Sequence, residues 1–269
     1  EASVADETPA AEPVPQSLAD HWILSRLDEA AQQVEKQLGT YHFAEAAETI
    51  YHVVWDDVAD WFVEVSKVEQ NISMNAYVLD TILRLSHPFA PFVTETIWQA
   101  LPWHDTILAG EAWMKPAEYD DIAAGQFDRL KDLVSEARYV MSELPGNKRY
   151  GMLYMDDSLV ADNAELIQKL ARVKSVEHVD QARGLRLAVS GRDAWLDLDD
   201  NTLYEHQTNL EKRLANVRQQ VKTLETRLAN ENYTAKAPAH LVEESRRQLA
   251  EERALVKRLQ TELQVIARS

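Results

Sequence analysis

Three carboxylates fall within five residues at Asp56, Asp57 and Asp60, in the run VVWDDVADWF. Such a cluster has two chemical uses, a divalent-cation site or a carboxylate pair sharing acid and base work. Neither is supported here. The three lie on a helical pattern whose opposite side is apolar, and no histidine or further ligand stands at a metal-type spacing. The eight histidines are scattered, HExxH is absent, and no cysteine is present to act as nucleophile or zinc ligand. A glycine-rich phosphate loop is missing as well. The residue types describe a surface that binds, not one that makes or breaks bonds.

Charge says where binding could occur. The chain carries 28 Lys and Arg against 45 Asp and Glu, net −17. The segment 201–269 holds 12 cations against 9 anions, which leaves 16 against 36 in the first 200 residues. The body is acidic and the last segment mildly basic, so a local basic surface for RNA is compatible with the overall sign. No run of apolar residues is long enough for a membrane span, and no signal-peptide pattern is present. With no cysteine and no targeting segment, a cytoplasmic location is expected.

The elements that must carry these groups are mostly helical. Residues 1–17, EASVADETPAAEPVPQS, are acidic, Ala/Pro-rich and unpatterned, and read as a flexible linker or tail of a longer chain. From Leu18 the apolar positions Trp22, Ile23, Leu27, Ala30, Ala31, Val34 and Leu38 follow a helical period, with Gly39 as the stop. Further helices are expected from about Phe43 to Val68, Met74 to Ser86, Phe92 or Thr94 to Pro102, and Asp121 to Met141. Over 150–199 the runs GMLYM, SVEHV, LRLAVS and AWLDL have strand-like composition around one helix. Beyond it, Leu203, Leu210, Leu214, Val217, Val221, Leu224 and Leu228 form one coiled-coil seam, with Gln207 at the skipped position, and Val242, Ser245, Leu249, Glu252, Val256, Leu259, Leu263 and Ile266 form another. Pro238 and the small residues around it stop the helix between the seams, which predicts an antiparallel hairpin. Centring the turn near residue 235 sets Leu228 opposite Val242 and Glu252 near Arg218. No apolar stripe is left over to dock this arm on the body.

The expected fold is mainly α: an antiparallel helical bundle over 18–145, a small α+β module over 146–200, and a C-terminal antiparallel coiled-coil hairpin over 201–269. At this level SLADHWILSRL (17–27), YHFAEAAETIYHVVWDDVADWFVEVSK (41–67) and ILRLSHPFAPFVTETIWQAL (82–101) resemble the anticodon-binding helical domain of class I aminoacyl-tRNA synthetases. LETRLANENYTAKAPAHLVEESRRQLAEE, with its KAP at 236–238, is similar to the C-terminal coiled coil of the valyl-tRNA synthetases. Nothing resembles the HIGH and KMSKS signatures. The resemblance therefore implies a tRNA-binding portion, inactive alone, with catalytic and editing domains elsewhere in a parent that uses ATP and Mg. No cofactor or metal is expected in this chain; the expected partners are valine tRNA and the parent's own catalytic domain, and the state is monomeric.

The resemblance also suggests roles for particular residues. Among Trp22, Trp55, Trp61 and Trp98, Trp22 is the candidate for an exposed ring that stacks an anticodon base, with Arg26 one turn on and Lys67 at a helix end as companions. Packing within the bundle is the competing reading for each tryptophan, an ordinary surface arginine that for Arg26, and a helix-end cation that for Lys67. On the coil, Lys212, Arg213, Arg218, Lys222, Arg227, Lys236, Arg246 and Arg247 would contact phosphates of the tRNA body. Their competing reading is the solvated face of a charged coil. A rival for the whole chain is a coiled-coil protein-interaction module or a synthetase paralogue without an aminoacylation role.

Overall fold

The computed structural model describes residues 13–114, 117–146 and 148–267, so most of the segment expected to be a flexible tail lies outside them. The chain is mainly α with one small sheet. It forms two compact units, Glu1–Lys131 and Asp132–Ser269, and the division falls inside a single helix.

In the first unit, α1 (Leu18–Gly39) begins where Ser17 accepts a hydrogen bond from the Asp20 amide, and it buries the expected stripe. Asp20 is itself buried, its carboxylate accepting from the Gln16 amide and from the Asn71 side chain, each at 2.8 Å. Asn71 in turn caps α4 (Ile72–Ser86), so one buried carboxylate ties two helix starts together. The left-handed residue that ends α1 is Tyr41, φ 63°, and not Gly39, which remains helical. The stripe of α1 packs on α2 (Phe43–His52), with Val34, Ala46 and Ile50 in one cluster. Each such fully buried aliphatic side chain stabilises by about 1.5–3 kcal/mol.

The second expected helix is one rod, but its middle is wound differently. After α2 comes a π-helical stretch, Val53–Phe62, and then α3 (Val63–Ser66). In that wider winding the inward residues are Val53, Asp57, Val58 and Phe62. Asp57 thus faces the interior, where the sequence pattern put it on the polar side. α5 (Pro91–Ala100) starts with its proline at the first turn, as the missing N–H allows. The first part of α6 (Asp121–Glu143) completes this unit.

The second unit takes the rest of α6 and a four-stranded sheet ordered β2-β1-β4-β3. β1 (Met152–Tyr154) runs parallel to β2 (Val176–His178) after the helices α7 (Ser158–Asp162) and α8 (Ala164–Ala171), and antiparallel to β4 (Ala194–Leu196). β3 (Leu185–Arg186) closes the edge on β4. Gly184, at φ +82°, leads into β3; a Cβ there would meet the Leu196 carbonyl oxygen at 2.1 Å, so only glycine fits. Glu136 of α6 accepts from the amides of Val189 and Ser190 and fixes the turn after β3.

The arm consists of α9 (Asp200–Ala229), the short α10 (Glu231–Lys236) and α11 (Ala239–Ile266). Leu210, Leu214 and Val217 bury the seam of α9, while Val221, Leu224 and Leu228 beyond them are half-buried. The helical turn α10 replaces the loop expected there and moves the reversal to Ala237 and Pro238. Arg253 consequently pairs with Glu225 at 2.7 Å, two turns from the register expected with the turn near 235. The Tyr233 hydroxyl pins the bend to Ser245 at 2.9 Å and to the Leu241 carbonyl at 3.2 Å.

Candidate nucleic-acid interface

The base of the arm is docked, against the expectation that no apolar stripe remained for this. Leu259, Ile266 and His206 are buried, the Arg258 guanidinium lies 3.9 Å from the centre of the Tyr139 ring, and Tyr139 donates to Glu262. Beside the seam, Val265 and Ile266 share the lining of one cavity with Tyr139 and Val140. Burial pushes the His206 imidazole below its ordinary 6.5, against the opposing pull of Glu262 and Glu143. The unfolded chain therefore takes up a proton that the folded chain resists, and stability present above 6.5 is lost as pH falls below it. Urea denaturation from about pH 7.5 to about 5.5 should show a loss on the order of 1 kcal/mol that His206→Gln removes. An unchanged pH dependence in that variant would refute the assignment.

The eight arm cations named from the sequence are all exposed. Two are engaged in ion pairs: Arg213 with Glu143 at 2.5 Å, and Arg247 with Glu251 at 3.8 Å on the same helix. Arg227 lies 6.0 Å from the Tyr233 ring centre. Lys212, Arg218, Lys222, Lys236 and Arg246 have no ion-pair partner among the described residues. Lys222 and Arg227 also border a shallow polar groove with Thr223, Thr226 and Asn230 on the distal half of α9. The Thr223 and Thr226 hydroxyls donate to the carbonyls of Gln219 and Lys222, so the two cations and the Asn230 amide are the groups there that suit phosphate oxygens.

In the first unit the residues proposed for base and phosphate contact part company. Trp22 is 1% exposed, which corrects the expectation of an open ring. Its indole N–H donates to Asp128 at 2.9 Å, its ring meets Phe127 at 5.0 Å, and Lys131 sits 4.0 Å over its face. Arg26 is held at both ends, by Asp57 at 3.0 Å and Glu29 at 2.6 Å, yet stays part-exposed. Lys67 is exposed and pairs with Glu64. Of the other tryptophans, Trp98 is fully buried and Trp61 half-buried under Lys131, 5.2 Å from its ring centre. Trp55 is the open one, 57% exposed and nearly parallel to Tyr51 one turn before it, at 6.4 Å between centres. The i,i+4 spacing of Tyr51 and Trp55 was visible in the sequence; the contribution of Lys131, far along the chain, was not.

Among the described residues no group of three His, Cys, Asp or Glu side chains is placed to hold a metal, and no helix is long and apolar enough to cross a membrane. A helical unit followed by an arm of this kind belongs to a recognisable class. Residues 20–148 match the anticodon-binding domain of tRNA ligase, and residues 203–267 match the valyl tRNA synthetase tRNA binding arm. The chain is 33% identical over 258 residues to a valine-tRNA ligase of Geobacillus stearothermophilus, covering 86% of this chain and 29% of that protein. It is 31% identical over 275 residues to one from Streptomyces avermitilis, 97% of this chain and 31% of the relative. The Bacillus subtilis relative is 31% identical over 257 residues, 86% and 29%. The chain thus belongs to the valyl-tRNA synthetase family, and it spans less than a third of the length of these relatives.

Proposed function

We propose that this chain is the tRNA-recognising portion of a valine-tRNA ligase. The helical unit reads the anticodon loop and the arm lies along the body of valine tRNA. The observation that supports this best is the set of five exposed arm cations without ion-pair partners among the described residues, in a chain that is otherwise strongly acidic. Cations left unneutralised are available to displace counterions from phosphates, a contact that supplies affinity without sequence information. Base recognition needs open rings, and Trp55 with Tyr51 supplies a stacking face where Trp22 does not. Arg26 and Lys67 are the companion cations of this unit; each would have to exchange a carboxylate for a phosphate on binding. In this reading the parent enzyme joins valine to its tRNA in the cytoplasm as a monomer. Its ATP and Mg sites belong to a catalytic domain, and no residue here is assigned to them.

The test is a fluorescence-anisotropy titration of labelled valine tRNA, with a non-cognate tRNA and a valine tRNA carrying an altered anticodon alongside. Tighter binding to valine tRNA, weakened by the anticodon change and by salt, is the expected result. Absence of tRNA binding at low salt, or self-association insensitive to salt, would favour the protein-interaction module instead.

A further inference from the structure

A cavity of about 600 Å³ opens within the second unit, between the end of α6, the chain after β3, and the arm helices α9 and α11. Its volume falls in the range of small-molecule sites. Tyr139, Val140, Ala188, Val189, Val265 and Ile266 make its walls apolar. None of the contacts argued above for tRNA uses it.

The polar groups around this cavity divide into those already occupied and those left over. Glu136 is taken by two backbone amides, Glu143 by Arg213, and Glu262 by Tyr139 and Arg258. Arg186 is paired with Asp193. Two groups remain. His206 is 5% exposed and its Nδ1 has no hydrogen-bond partner among the described residues. A neutral imidazole carries one N–H, and in the tautomer protonated at Nε2 the Nδ1 lone pair is an acceptor waiting for a donor. Buried polar atoms of this kind are ordinarily satisfied by protein, water or ligand. The second is Lys257, exposed at the rim with no ion-pair partner among the described residues.

We propose that this cavity is a binding site for a small, largely apolar organic anion. Its hydrophobic body fills the space between Tyr139, Val189 and Val265, an O–H or N–H group donates to His206 Nδ1, and its acid group meets Lys257. Because α6, α9 and α11 all border the site, an occupant ties the base of the arm more firmly to the sheet.

8-Anilinonaphthalene-1-sulfonate combines aromatic rings, one N–H and one sulfonate, and serves as the probe. Titrated into the folded chain, it should bind saturably at one site and raise the melting temperature. Ala254→Trp, at an exposed position of α11 that borders the cavity, should abolish that binding by filling the space. Lys257→Met, also on the surface, should weaken it about tenfold in low salt, and His206→Phe should weaken it too, with circular dichroism confirming the fold of each variant. No binding, several weak sites per chain, or binding that Ala254→Trp and Lys257→Met leave unchanged would overturn the proposal.

Discussion

Replacing Lys212, Arg218, Lys222, Lys236 and Arg246 together by glutamine will weaken tRNA binding about 100-fold or more at about 50 mM salt, and will lower the slope of log affinity against log salt by about 4–5. The size follows from counting charges: each cation that neutralises one phosphate releases roughly one counterion, so five lost contacts appear directly in the slope. Loss of binding strength should be similar for cognate and non-cognate tRNA, since phosphates carry no sequence. The fold should not suffer. All five side chains are exposed and none makes an ion pair among the described residues, so the melting temperature should stay within a degree or two of the parent chain. Arg213 is deliberately left in place, because its bond to Glu143 holds the base of the arm. An unchanged salt slope would show that the arm's cations are only a solvated face and would remove the arm from the interface.

Much of this architecture was legible because it is local. The stripe from Trp22 to Val34 and the two seams of the arm are periodic over stretches that a single helix spans, and periodicity reports burial within such a stretch. What escaped depends on distant partners. Trp22 is closed off by Phe127, Asp128 and Lys131, about a hundred residues on, and nothing near Trp22 announces them. Asp57 turned inward because the rod changes from α to π winding, a change that a fixed 3.6-residue period cannot represent. The arm register shifted because ENYTAK kept helical geometry although the adjacent proline had marked the region as a loop. The docked base escaped for the same reason: Val265 and Ile266 share a cavity wall with Tyr139 and Val140 of α6, far earlier in the chain.

Asp57→Ala is expected to destabilise the first unit by roughly 2–4 kcal/mol in urea denaturation. Asp57 accepts from Arg26 at 3.0 Å and faces the Lys131 ammonium at 3.7 Å, with only 10% of its own side chain and 19% of that of Lys131 exposed. Lys131 stands over Trp22 and Trp61, whose faces favour a cation but do not replace water. Burial lowers the pKa of Lys131, and Asp57 followed by Asp128 are the groups that oppose the shift. Removing Asp57 therefore leaves a poorly hydrated charge with its principal counter-charge gone. Lys131→Met should be far milder, within about 1 kcal/mol, because methionine keeps the contact with the two rings and Asp57 retains Arg26. Adding Lys131→Met to Asp57→Ala should recover most of the loss, and that non-additivity distinguishes a stranded charge from a simple packing defect. The pH dependence supplies an independent sign. A lysine whose folded pKa lies below 10.5 leaves the unfolded chain holding more protons in the window between the two values, so stability rises with pH there. Lys131→Met should lack that rise; if the parent chain and the variant change alike with pH, the ammonium is not the group that Asp57 is holding in place.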